Sequence, residues 1–123
     1  MATGHRDLRV FQLAYATGMA IFEESKQFPR EELYSLTDQL RRSARGVAPL
    51  IAEAYRKRPY PKLFVLKLVE ADAEAAEAGT WLDYARDCKY LPTESHARLL
   101  AQLEEVGRML GGMIQHPKKF CSS

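Results

Sequence analysis

The side chains with the most chemical promise are basic. Arg41, Arg42, Arg45, Arg56, Lys57, Arg58, Lys62 and Lys67 stand against one acid, Glu53, a local balance of +7. From Glu70 to Asp87 the sign reverses: Glu70, Asp72, Glu74, Glu77, Asp83 and Asp87 face only Arg86, a balance of −5. Clustered Lys and Arg suit phosphate groups, and Tyr55 and Tyr60 flank the densest part and could stack on bases. Arg41, Arg42, Arg45, Arg56, Lys57, Arg58 and Lys62 are therefore candidate phosphate contacts for RNA or DNA, with Tyr55 and Tyr60 as stacking groups. Two other readings stay open. Basic groups also complement the negative end of a helix, and the basic and acidic stretches could pair with each other, within or between subunits.

Catalytic and metal chemistry finds little support. A helical enzyme with a di-iron centre needs Glu-x-x-His, which does not occur in this sequence. His5, His96 and His116 have no ligand spacing, and Glu70, Glu74 and Glu77 share a helix side without a histidine, the pattern of a solvated face. There is no glycine-rich phosphate loop and no nucleophile motif. The expectation is a non-enzymatic protein with no cofactor and no metal. Met1–Thr17 has no export pattern and no apolar run is long enough for a membrane, so a cytoplasmic protein with Cys88 and Cys121 as free thiols is expected.

Four periodic segments must position these groups. The first, roughly 8–26, repeats Leu8, Phe11, Tyr15, Gly18, Met19 and Phe22 at three- and four-residue steps, and Phe28-Pro29 ends it. The second, roughly 33–57, carries Leu33, Leu36, Leu40, Ala44, Val47 and Ile51; Ser35 is placed to cap it, and Pro49 should kink it or tighten its turn. The third, roughly 62–89, has a seam of Phe64, Leu68, Ala71, Ala75, Ala78, Leu82 and Ala85. A second stripe on that helix, Leu66, Val69, Ala73 and Ala76, is a candidate oligomer interface, with Trp81 beside it. The fourth, roughly 93–115, has Thr93 placed to cap it and Glu94 to complement its dipole, and buries Leu99, Leu103, Val106, Leu110 and Met113. Gly107, Gly111 and Gly112 cost it helix stability, which makes sense where another backbone packs close. Residues 117–123 form a tail, of which Cys121-Ser122-Ser123 is expected to be mobile. With 123 residues, 46% of them hydrophobic, this is one all-α domain, an antiparallel up-down-up-down four-helix bundle.

Several stretches resemble the bacterial four-helix-bundle family of proteins encoded by intervening sequences in 23S ribosomal RNA genes. They are Leu8-Arg9-Val10-Phe11-Gln12, the run from Phe28-Pro29 through Leu36-Thr37-Asp38-Gln39-Leu40-Arg41-Arg42-Ser43, Ile51-Ala52-Glu53-Ala54, Phe64-Val65-Leu66-Lys67-Leu68, Ala71-Asp72, Trp81-Leu82 and Tyr90-Leu91. In the second helix the chain departs from the pattern, with Leu50 where the family often has Asn and Ala54 where it often has Gly. The stretch Val106-Gly107-Arg108-Met109-Leu110-Gly111 is similar to accessory proteins of diversity-generating retroelements. The resemblance implies a homopentamer and a partner that is RNA, DNA, a reverse transcriptase or another protein. The expected function is that of a non-enzymatic, homo-oligomeric accessory protein binding nucleic acid through the basic surface. The alternative is a protein-interaction scaffold whose basic and acidic stretches pair between subunits.

Overall fold

The computed structural model describes residues 4–121. They form four long helices: α1 (Arg9–Ser25), α2 (Leu36–Arg56), α3 (Pro61–Asp87) and α4 (Thr93–Gln115). A last short helix, α5 (Lys118–Cys121), follows, and no strand occurs among the described residues. The expected tail is thus partly ordered: Phe120 stacks on Phe64 with ring centroids 6.1 Å apart, while Ser122 and Ser123 lie outside the described residues. No described helix is long and apolar enough to cross a membrane.

Each helix packs on two others. α2 lies against α1 and α3, and α4 against α3 and α1, so the four close around one core. The seam expected on α3 is buried in full: Phe64, Leu68, Ala71, Ala75, Ala78, Leu82 and Ala85. On α4 the five expected residues are likewise buried. On α2, Leu36, Leu40, Ala44, Val47 and Ile51 are buried, but Leu33 precedes the helix and is exposed.

On α1 the expected face is displaced. Val10, Ala14, Thr17, Ile21 and Ser25 are buried, whereas Tyr15 and Met19 are exposed and Phe11, Gly18 and Phe22 sit at the edge. The helix carries apolar groups on two sides, and Thr17 and Ser25 disguised the inward one. Their hydroxyls are satisfied locally. Thr17 donates to the Leu13 carbonyl at 2.7 Å, and its oxygen lies 3.2 Å from Gln102 Oε1. Ser25 donates to the Phe22 carbonyl at 2.8 Å.

The helix ends also differ from expectation. Ser35 makes no side-chain cap; Glu32, in a 3₁₀ turn at Arg30–Glu32, accepts the Leu36 N–H at 3.2 Å instead. Pro92, not Thr93, precedes α4, and it too is uncapped. α2 continues through Pro49 to Arg56. α3 closes on Lys89 in the left-handed region at φ 66°, with Tyr90 N–H bonded to the Ala85 carbonyl and Lys89 N–H to that of Arg86, both at 2.9 Å. This is the Schellman arrangement, in which glycine is the usual occupant.

Candidate nucleic-acid interface

α2 runs as one helix from Leu36 to Arg56, so its rise separates Arg41 from Arg56 by about 22 Å. The basic stretch is therefore two clusters joined by a rod. Arg41, Arg42 and Arg45 form the first, near the C-terminal end of α1. Arg56, Lys57, Arg58 and Lys62 form the second, at the turn into α3.

In the first cluster a single aromatic ring gathers the charge. The Phe22 ring centroid lies 4.8 Å from the Arg41 guanidinium, 5.0 Å from that of Arg45 and 5.1 Å from Lys26 Nζ. Such contacts hold cations in place without neutralising them. Arg41 Nε also donates to Ser25 Oγ at 2.7 Å. Phe22 and Lys26 escape a reading of the basic stretch alone because they belong to α1; their four-residue spacing was the available clue.

In the second cluster Arg58 folds back. Its Nε donates to the Tyr55 carbonyl at 2.9 Å and its guanidinium lies 3.7 Å from the Tyr55 ring centroid. One face of Tyr55 is thereby occupied by Arg58, while Tyr60 is 63% exposed and open to stacking.

Charge pairing separates these residues from the rest of the surface. None of Arg41, Arg42, Arg45, Arg56, Lys57, Arg58 and Lys62 has a carboxylate within ion-pair distance among the described residues. The acid within the stretch, Glu53, is turned to Lys67 at 3.0 Å, and Glu70 meets the same ammonium at 3.3 Å. Hydrogen bonds to Glu53 and then Glu70 raise the Lys67 pKa. Lys67 is thus withdrawn from the candidate surface.

The acidic stretch finds its partners mostly on α3 and α4. Buried His96 holds Nε2 2.7 Å from Asp83 Oδ1, with an Arg86 Nη at 3.4 Å. Arg86 in turn bonds Asp87 at 2.9 Å, which raises the arginine's pKa and lowers the aspartate's. Glu74 is pushed up by burial and then by neighbouring Glu77. No group of three or more His, Cys, Asp or Glu among the described residues could hold a metal ion. Cys88 and Cys121 are free thiols, Cys88 exposed and Cys121 half-buried.

Two apolar faces are left unpartnered. On α3, Leu66 and Val69 are about half exposed, Ala73 and Ala76 are exposed, and Trp81 is half-buried with its indole N–H on Glu77 at 3.0 Å. Between α1 and α2 a groove of about 390 Å³ is lined mainly by Phe11, Tyr15, Met19, Ala48 and Pro49, with Arg45 on its wall.

The described residues are helical, with no strand among them, and carry seven cations that have no carboxylate within ion-pair distance. The family model of the 23S rRNA-intervening sequence protein matches residues 6–112, and the chain belongs to that family. No curated protein matches it.

Proposed function

We propose that the protein is a non-enzymatic, cytoplasmic accessory protein that self-assembles and binds the phosphates of RNA or DNA through α2 and the α2–α3 turn. The observation that carries this reading is the set of seven cations without a carboxylate partner among the described residues. Unpaired Lys and Arg that neutralise phosphates displace the counterions condensed on the nucleic acid, which drives binding. The two clusters, about 22 Å apart along α2, match the span of six to seven base pairs at roughly 3.4 Å each.

The architecture we infer is the antiparallel up-down-up-down bundle. It is supported by cross-helix neighbours whose numbers run in opposite directions: Asp83 with His96, Gly79 with Leu100 and Asp72 with Gly107 between α3 and α4, and Lys67 with Glu53 and Glu74 with Gly46 between α3 and α2. Self-assembly is supported by the two apolar faces. The α3 stripe and the α1–α2 groove lie on different surfaces of one chain, and a head-to-tail contact of one with the other would generate a ring if its rotation closes. A pentamer is the assembly we favour.

The test is binding of a fluorescent single-stranded RNA and a DNA duplex, followed by anisotropy over a salt series. The reading expects log K to fall linearly with log salt, engaging several cations at about 0.7 per phosphate on single strands and 0.9 on duplex. Absent or salt-insensitive binding would refute it. The basic surface would then serve subunit pairing, as in a protein scaffold, and Arg56→Glu, Lys57→Glu and Arg58→Glu together should break the oligomer.

A further inference from the structure

Where α1 passes into α2 the fold encloses a cleft of about 240 Å³ whose lining includes Ser25, Lys26, Arg30, Leu33, Thr37 and Arg41. None of its lining residues is acidic. Buried Ser25 and Thr37 line it together with three cations, and the Thr37 hydroxyl is unsatisfied. Thr37 is 2% exposed, and its Oγ1 has no hydrogen-bond partner. Buried polar atoms without partners are uncommon, and each calls for a cause.

The neighbouring groups are donors as well. Ser25 fixes Arg41 through Nε, which leaves the Nη groups of that guanidinium without a hydrogen bond or ion pair among the described residues. Arg30 is exposed and has no carboxylate within ion-pair distance, and Lys26 is shared with Glu23 at 3.2 Å. Thr37 stands in the first turn of α2, where the helix dipole favours negative charge and the Glu32 carboxylate already takes up the Leu36 N–H at 3.2 Å.

From this arrangement we propose that the cleft is a binding site for a dianionic phosphate group. A phosphate group offers three strong acceptor oxygens and carries about −1.5 to −2 charge at neutral pH, so it complements a guanidinium fork, a second arginine and an unpartnered hydroxyl together. Arg41 supplies the fork, Arg30 closes over the outer side, and Thr37 donates from the floor. The proposal does not depend on the nucleic-acid reading: the site binds phosphate even if no oligonucleotide binds the rest of the surface.

Titrating inorganic phosphate into ¹⁵N-labelled protein, at ionic strength held constant with sodium chloride, tests it. Saturable amide shifts centred on Ser25, Arg30 and Thr37 are expected. Thr37→Val and Arg41→Gln should each weaken them about tenfold, the worth of one charge-assisted hydrogen bond. Thr37→Val removes an unsatisfied hydroxyl while keeping the shape of the side chain, so the fold persists and a lost response reads as lost binding. Shifts that never saturate, that chloride reproduces, or that survive both substitutions overturn the proposal. The source of the phosphate is read from an oligonucleotide with and without a 5′-phosphate. Displacement of inorganic phosphate by the phosphorylated strand alone assigns a strand end; displacement by neither assigns a free phosphate compound.

Discussion

Gly111 and Gly112 lie in the last two turns of α4, and a Cβ built on either meets nothing within 4 Å. Both should therefore accept alanine, which gains up to about 1 kcal/mol at each helical position. The helix ends at Gln115, where fraying reduces the benefit, so the double variant Gly111→Ala/Gly112→Ala should gain about 1–2 kcal/mol in all. A chain of 123 residues unfolds with an entropy near 2.1 cal/mol/K per residue, so each kcal/mol raises Tm by about 4 °C. The double variant should melt about 4–8 °C higher by circular dichroism. Gly79 is the internal control: it is buried, and a Cβ there would lie 3.2 Å from Leu100 Cδ1, so Gly79→Ala should gain little or lose. Equal stabilisation at Gly79, or destabilisation of the double variant with unchanged mass in solution, would refute the reasoning. A fall in mass would instead place the Gly111–Gly112 surface in a subunit contact.

Replacing Arg56, Lys57 and Arg58 with glutamine should lower the slope of log K against log salt by about 2 on single-stranded RNA, three phosphate contacts at about 0.7 each; an unchanged slope in the anisotropy series would remove the second cluster from the interface. Lys89→Gly should stabilise the chain by about 1 kcal/mol in urea unfolding, because the residue sits at φ 66° in the glycine position of a Schellman turn, and a loss of stability would count against that account. Tyr90 donates its phenolic O–H to Glu32 at 2.9 Å, and that bond, followed by burial, pushes its pKa from 10.0 up to about 12. The folded chain keeps this proton where the unfolded chain loses it, so the contribution is complete below pH 10 and disappears as pH rises to 12. Tyr90→Phe should flatten the fall in stability across that window; an identical alkaline profile would show that the pairing is energetically silent.

Periodicity alone located the long helices because three of them bury their largest apolar residues at regular steps. Phe64 through Ala85 on α3 and Leu99 through Met113 on α4 could hardly face elsewhere. On α1 the rule misled, since Tyr15 and Met19 are larger than Ala14 and Thr17 yet lie outside. Small residues let α1 approach its neighbours closely: at Gly18 a Cβ would lie 3.5 Å from the Ala44 carbonyl oxygen. The cap of α2 was hidden for a different reason. A serine three residues before an aspartate suggested a local cap, but Glu32 was already positioned by Tyr90, fifty-eight residues away in sequence.

The candidate surface was legible as a charge count and illegible as geometry. The count could not tell Lys67, paired to Glu53 and Glu70, from Arg45, which rests on Phe22. Nor could it divide the stretch into two clusters, because that follows from the length of α2 between Arg45 and Arg56. Thr37 gave no sign at all: an unsatisfied hydroxyl is a property of packing, and nothing in Leu36-Thr37-Asp38 distinguishes it from an ordinary first turn.

The proposed ring would cover both apolar faces, the α3 stripe and the α1–α2 groove, that a single chain leaves exposed. The most direct test is the absolute mass in solution by light scattering, at low and at high salt. A pentameric ring should give a mass near five chains in both, since apolar contacts survive screening. A monomer in both conditions would contradict it, leaving the α3 stripe and the α1–α2 groove without the second copy the account assigns to them.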